Sequence, residues 1–290
     1  MYSVWVTKET AANSDANSDS LKILFIGEIV GSSGVFCVKS LLPQIKEQKD
    51  IDFVIANGEG ATGGFGIGKN HAIYLHKLGV DVITSGECIY YKKDMVTHIA
   101  KAPYVLRPAN YPYGNPGRGW RIYTKNGRKI AVVSLLGQGG FKRTHPANPF
   151  SFLPCLIEKI EQETKTIVVD FHAVTTAEKS TMFYHMDGKV SALVGTHSKV
   201  PTADERILPG GTAVITDAGR TGSINSVGGL LPEIEINKFL TQIPERSKTC
   251  WDKLELQGVI IYIDPGGKAK SIERLRLECE EKPNDNSGQG

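Results

Sequence analysis

With 290 residues and 40% hydrophobic content, the chain is long enough for one large α/β domain or two small ones and can bury a sizeable core. Its 34 basic and 31 acidic residues leave a net charge of +3 with no run of five or six like charges, so no nucleic-acid patch is expected. The five cysteines are odd in number and contain no C-x-x-C, and no apolar run approaches the roughly 20 residues that span a bilayer, which argues against a disulfide framework, a cysteine zinc knuckle and a membrane protein.

The opening stretch, MYSVWVTKETAANSDANSDS, lacks the basic and apolar blocks of a secretory signal, and a cytoplasmic protein is expected. Residues 1–20 and 280–290 are polar and read as disordered tails around a single domain at 21–279. Within it, strand-like LKILFIGEIV precedes a helix near 34–48. DFVIANGE and a helix near 70–78 follow, then DVITSGE, an alternation that predicts βαβ units. The Pro- and Gly-rich stretch 101–119 reads as a loop, and Asn126-Gly127 between two strand-like runs predicts a hairpin. A helix near 151–163, the strand TIVVDFHA, a helix near 174–185, the strands SALVGTH and GTAVITDAG and a closing hairpin, LQGVIIYID with AKSIERLRLE, complete the order. No internal repeat or central linker divides the chain, so one domain with two sheets is expected.

Polar residues collect where the strands end: Gly27-Glu28, Asn57-Gly58-Glu59-Gly60, Gly86-Glu87-Cys88, Asp170-Phe171-His172-Ala173 and Gly195-Thr196-His197-Ser198-Lys199. Carboxyl ends of parallel strands converge on one edge, so three carboxylates, two imidazoles, a thiol and an ammonium are expected to meet there. Three neighbouring carboxylates repel unless something positive lies among them. Other readings of the same residues are weaker. The glycines at 27, 31 and 34 do not fit G-x-G-x-x-G, and GEGATGGFGIGK lacks G-K-[ST]. A Cys88 nucleophile with His172 or His197 as base leaves the acids unexplained.

In this order the motifs resemble those of the YmdB-like branch of the calcineurin-type metallophosphoesterases, bacterial phosphodiesterases that act on cyclic nucleotides through two metal ions. The resemblance runs from about Leu21 to Leu277 and includes LRPANYPYGNPG, DFHAVTTAEK and VGTHSKVPTADERILPGGTAVITDAGRTG. It implies a metallophosphoesterase sandwich of two mixed β-sheets flanked by helices, with metals at the strand ends. The family's G-D-x-V-G reads here Gly27-Glu28-Ile29-Val30-Gly31, its N-G-E-N ends in Gly60, its G-N-H reads Gly86-Glu87-Cys88, and its G-T-H-x-H ends in Lys199; D-F-H-A is intact.

What the resemblance implies is therefore asymmetric. One metal position is left with Glu28 as a weak ligand, the bridging Glu59, Gly60 and Lys199, so it has lost two ligands and gained a cation. The other keeps Glu59, Glu87, His172 and His197, a donor set suited to manganese, iron or zinc. With one divalent ion the charges of Glu28, Glu59, Glu87 and Lys199 cancel, so zero or one ion is expected, with the Lys199 ammonium in the other ion's place, pairing with Glu28 and Glu59. Cys88 stands at the family's general-acid position, where a thiol of pKa about 8.5 is a weaker acid at neutral pH. Lys199 and Arg220 are the expected phosphate-binding cations.

Two functions follow from this pattern. The first is a weak or inactive pseudo-phosphodiesterase that binds a nucleotide or protein partner; the second is an active one-metal phosphodiesterase for cyclic nucleotides or other phosphodiesters. A homo-oligomer is a further expectation from the family. Arg107 and Asn110 are expected to fix the Pro-rich loop, and His71, His76, His98, His145 and His185 to be structural or surface groups.

Overall fold

The structure, a computed structural model, describes residues 20–141 and 143–280. Apart from Ser20 and Glu280, the tails expected from the sequence lie outside the described residues. The first half lays down β1 (Leu21–Ile26), β2 (Glu28–Ile29), α1 (Gly31–Lys49), β3 (Phe53–Asn57), α2 (Lys69–Lys77), β4 (Val82–Thr84) and α3 (Lys93–His98). After the Pro-rich loop come β5 (Trp120–Lys125), β6 (Arg128–Leu136), α4 (Pro149–Ile160), β7 (Ile167–His172), α5 (Thr176–His185) and β8 (Ala192–Thr196). The chain closes with β9 (Arg206–Ile207), β10 (Ala213–Ile215), β11 (Arg220–Ser223), α6 (Pro232–Thr241), β12 (Leu254–Ile263) and β13 (Ala269–Cys279).

Two mixed sheets result. One runs β2-β11-β12-β1-β3-β4 with β13 on β12, the other β5-β6-β7-β8-β10-β9. The alternation in β1 shows why they stack: Leu21, Ile23 and Phe25 face Ile130, Val132, Val168 and Val194 of the second sheet, while Leu24 and Ile26 face Val38 and Leu42 of α1. Val133, Leu135, Val169 and Phe171 turn the other way, onto Leu153 and Ile157 of α4 and Met182 and Phe183 of α5. The order of layers is helix, sheet, sheet, helix, as the sequence predicts.

The Asn126-Gly127 hairpin forms with both residues at positive φ, 49° and 74°, the backbone a type I′ turn needs. α4 starts two residues earlier than expected because Pro149 opens it and the Asn148 side chain accepts from Phe150 N at 3.0 Å. LKILFIGEIV is two strands rather than one, since β1 pairs with β3 and β12 whereas Glu28 and Ile29 pair with Arg220 and Thr221 of β11. α3 and α6 are additions to the sequence reading.

What matters for function is the common edge. β1, β3 and β4 are parallel to one another, as are β6, β7, β8 and β10, and side chains at their carboxyl ends link the sheets. Asn57 Nδ2 donates to Asp170 Oδ2 at 2.8 Å, Thr84 Oγ1 donates to the same oxygen at 2.5 Å, and Ser134 Oγ donates to Ser85 O at 2.8 Å. Asn110 pins the Pro-rich loop by donating to Leu136 O and Ala147 O and accepting from Leu136 N, and Arg107 donates to Pro108 O, in line with the sequence reading.

Candidate metal centre

His172, fully buried, is the last residue of β7. Its Nδ1 lies 2.8 Å from Thr196 Oγ1, and that hydroxyl donates its own hydrogen to Asp170 Oδ1 at 2.7 Å. Thr196 can therefore only accept from the ring, which keeps a proton on Nδ1 and makes Nε2 the nitrogen that faces the acids. Nε2 looks toward Glu87 Oε2 at 3.0 Å and His197 Nδ1 at 3.1 Å. Gly86 makes room for the ring: a Cβ there would fall 2.6 Å from Nε2. Phe141 closes the apolar side, its ring centroid 5.3 Å from that of His197.

Glu59 is held from the opposite sheet. Its Oε2 accepts from Gly86 N at 2.6 Å and its Oε1 from Cys88 N, while Glu59 N bonds Asn57 Oδ1 at 3.0 Å. The expected ligands thus come together as two overlapping groups joined by Glu87: Glu87 with His172 and His197, and Glu59 with Glu87 and Cys88. The buried oxygen Glu28 Oε2 has no hydrogen-bond partner among the described residues, and Glu87 Oε2 faces the His172 ring. Two ring nitrogens and several carboxylate oxygens converge here, a donor set that fits a divalent cation, which would take the place of the proton that the acids draw onto His172.

The electrostatics agree. Burial pushes the Glu59 carboxyl up to about 8, only partly offset by the His172 charge. Burial also opposes ionisation of Glu87, but the His172 ring beside it outweighs that and holds the carboxyl at about 2. Burial would lower His172, yet Glu87, Glu59 and Glu28 together lift it to about 9; burial and the His172 charge take His197 down to about 4. The field of the three acids favours positive charge at this edge.

Lys199 supplies part of it. Its Nζ is 3.0 Å from Glu28 Oε1, with the Glu28 side chain buried and that of Lys199 one-fifth exposed. Of the two pairings expected, only the one with Glu28 is a contact, because Glu59 already receives the amides of Gly86 and Cys88. Gly60, where the family motif has an asparagine, leaves no room for a side chain: a Cβ would lie 2.9 Å from both Glu28 Oε1 and Ile29 O. The Cys88 thiol is raised by burial and by the charges of Glu59 and Glu87, so it stays protonated and gives up its proton reluctantly.

Arg220 departs from expectation. It lies in β11, buried, and its guanidinium donates to Ser223 O at 2.8 Å, Lys199 O at 2.8 Å and Ile224 O at 2.9 Å. With its donors on carbonyls it acts on the site through the Lys199 backbone, not as a phosphate partner. That backbone needs holding, since His197 and Lys199 sit at positive φ, 102° and 60°.

A second clamp escaped sequence reading altogether. Lys179 of α5 is fully buried with Nζ 3.0 Å from Asp217 Oδ2, which also accepts from Ser198 N at 2.8 Å. Lys179→Ala strands the buried Asp217 charge and is expected to destabilise the fold by about 3–5 kcal/mol. Thermal unfolding is the check, and a midpoint unchanged from the wild type would refute the clamp. His71, His76, His98 and His185 bond Thr62, Val80 O, Tyr104 and Phe150 O, away from the centre.

Comparison with known proteins follows the same lines. A family model described as YmdB-like protein matches residues 24–275. A 2',3'-cyclic-nucleotide 2'-phosphodiesterase of Bacillus subtilis (strain 168) is 40% identical over 258 residues, 89% of this chain and 97% of that protein. The crystal structure of a novel phosphatase from Mycoplasma pneumoniae superposes with a TM-score of 0.84 at 33% identity, covering 90% of this chain and 94% of that one. A hypothetical protein from Thermus thermophilus gives 0.82 at 32% identity, covering 89% of this chain and 99% of that one.

Proposed function

Since the chain belongs to the YmdB-like family of metallophosphoesterases, we propose that it is an active phosphodiesterase, hydrolysing 2',3'-cyclic nucleotides or related diesters with one divalent ion and Lys199 as its fixed second cation. The observation that carries this reading is the convergence of His172 Nε2, His197 Nδ1 and Glu87 Oε2 beside the Lys199–Glu28 pair. Glu59, Glu87, His172 and His197 would hold manganese, iron or zinc, which when bound polarises a phosphoryl oxygen and acidifies water.

The rest is done by the chain itself. Asp170 and Thr196 fix the His172 tautomer, and the amides of Gly86 and Cys88 orient Glu59. The Lys199 ammonium, on a side chain one-fifth exposed, offers a point charge to a phosphate oxygen. In the reaction the oxygen of water bonds to phosphorus, the bond to the leaving oxygen breaks, and that oxygen takes up a proton. Cys88 is a poor source of this proton, so esters with acidic leaving groups should be hydrolysed best. General acid help is worth roughly 10²–10⁴-fold where it operates.

The experiment is hydrolysis of a bis-aryl phosphate and of 2',3'-cyclic nucleotides with added manganese, iron or zinc and with chelator, together with metal analysis. Turnover that needs metal, favours the aryl ester and accompanies one ion per chain is the expected result. Failure on both substrates with every ion would instead favour a binding protein that takes a nucleotide or a protein partner. The observation behind that second reading is the protonated, buried thiol of Cys88. Among the described residues no helix is long and apolar enough to cross a membrane.

A further inference from the structure

We propose that the cleft between the Glu59–Phe65 loop and the segment Glu245–Trp251 binds the part of a nucleotide chain that continues past the scissile phosphate, so that the substrate class is a short oligonucleotide rather than a lone mononucleotide. The inference rests on the phosphodiesterase reading and goes beyond it. The cleft has a volume of about 790 Å³, enough for a nucleotide or two, and Ser32, Thr62, Phe65, Lys92, Lys248 and Trp251 line it.

Three features identify the occupant. The first is charge: Lys92, Arg246 and Lys248 all line the cleft and none of them is in an ion pair among the described residues, against one acid, Glu245. Lys238 is also there but is committed to Glu235 at 2.8 Å and to Ser247 Oγ at 2.6 Å, which ties the segment carrying Arg246 and Lys248 to α6. The first turn of α1 adds to the positive field, for it has no capping side chain and no acid, and Ser32 belongs to the cleft.

The second is the pair of flat faces. Phe65 and Trp251 are 43% and 41% exposed, and Trp251 is braced from behind by Phe36 with ring centroids 5.7 Å apart. Cations along a groove with aromatic rings between them are how proteins hold single strands without reading their sequence, phosphates on the cations and bases on the rings. An acidic peptide would use the charges but leave the rings idle.

The third is continuity. Phe65 lines the cleft with the Lys199 ammonium 5.9 Å from its ring centroid, and that ammonium touches Glu28 at 3.0 Å. Thr62, Gly63 and Phe65 belong to the loop that starts at Glu59. A diester whose phosphate reached Lys199 would have its next nucleotide beside Phe65.

The test follows tryptophan fluorescence as hexauridylate is added to the purified metal-loaded protein, with Trp251→Phe to assign the signal. Quenching that vanishes in Trp251→Phe is expected, with binding weakened about tenfold or more by Lys92→Glu combined with Lys248→Glu. The logarithm of the binding constant should fall with log salt at a slope of about −2, the value for two to three phosphate contacts on a single strand. The ratio of kcat/KM for a dinucleotide ending in a 2',3'-cyclic phosphate to that for the mononucleotide should exceed ten and fall toward one in the charge-reversed protein. No quenching, binding indifferent to both glutamates, or equal competition by hexaglutamate overturns the inference. If bis-aryl phosphate is still hydrolysed in that case, the phosphodiesterase reading survives it; if hexauridylate binds as described and no diester is hydrolysed, the cleft stands and that reading fails.

Discussion

His172→Ala is expected to lower phosphodiester hydrolysis by about 10³-fold and to abolish tight binding of a divalent ion. The magnitude follows from losing several kcal/mol of charge stabilisation in the transition state, at 1.36 kcal/mol for each factor of ten. The substitution removes the ring nitrogen that Thr196 and Asp170 orient toward the acids, and it takes from Glu87 and Glu59 the neighbour that most favours their ionised forms. Glu59→Ala should match it from the other sheet, because that carboxylate alone joins the amides of Gly86 and Cys88 to the centre. His185→Ala, whose ring bonds Phe150 O and lies beside the Phe150 ring away from the centre, should change neither quantity. Metal content of the purified variants, read beside kcat/KM on a bis-aryl phosphate, decides. Wild-type turnover in both Glu59→Ala and His172→Ala would place the chemistry elsewhere.

Much of this centre is legible in the sequence because chemistry and topology coincide there. A polar group at the end of an apolar run has few destinations in a parallel sheet, and Glu59, Glu87, His172 and His197 reach the common edge for that reason. The helix-sheet-sheet-helix layering is legible too, since β1 and its neighbours alternate between two buried faces. α6 is not, and its burial explains why. No residue of that helix is buried: Ile236, Phe239 and Leu240 keep the i, i+3, i+4 spacing of an apolar face but all three are exposed, so the pattern marks no core contact.

What escapes the sequence is whatever depends on a contact that only the folded backbone supplies. Arg220 reads as a spare cation until the carbonyls of Lys199, Ser223 and Ile224 are found around it. Lys179 reads as the polar face of a helix until Asp217 appears beneath it. The same holds for the cleft, whose cations stand at positions 92, 246 and 248 and form no run of charge. Absence of a basic run speaks to linear charge density only. Loops that meet in the fold can gather a basic surface from single residues.

Lys199 offers the sharpest separation of structure from chemistry. In Lys199→Met the Glu28 carboxylate stays buried with no counter-charge, and the fold should lose about 2–4 kcal/mol, somewhat less than for a fully buried pair because the Lys199 side chain is one-fifth exposed. Adding Glu28→Gln removes the stranded charge, so the double variant should regain most of that stability while remaining a poorer catalyst for want of the ammonium. Lys199→His asks the complementary question. Its backbone at φ 60° is a conformation that histidine adopts more readily than most residues, and the imidazole restores the family's missing ligand. A second ion should then enter, held by Glu28, Glu59 and the new ring. It should bind more weakly than the first, because Gly60 contributes no donor and the walls at Ile29 O and Glu28 Oε1 forbid one. Chemical denaturation of the first two variants and metal titration of the third give the readouts. Two tightly held ions in the wild type, or a Lys199→Met protein as stable as its parent, would mean that this ammonium is not the second cation.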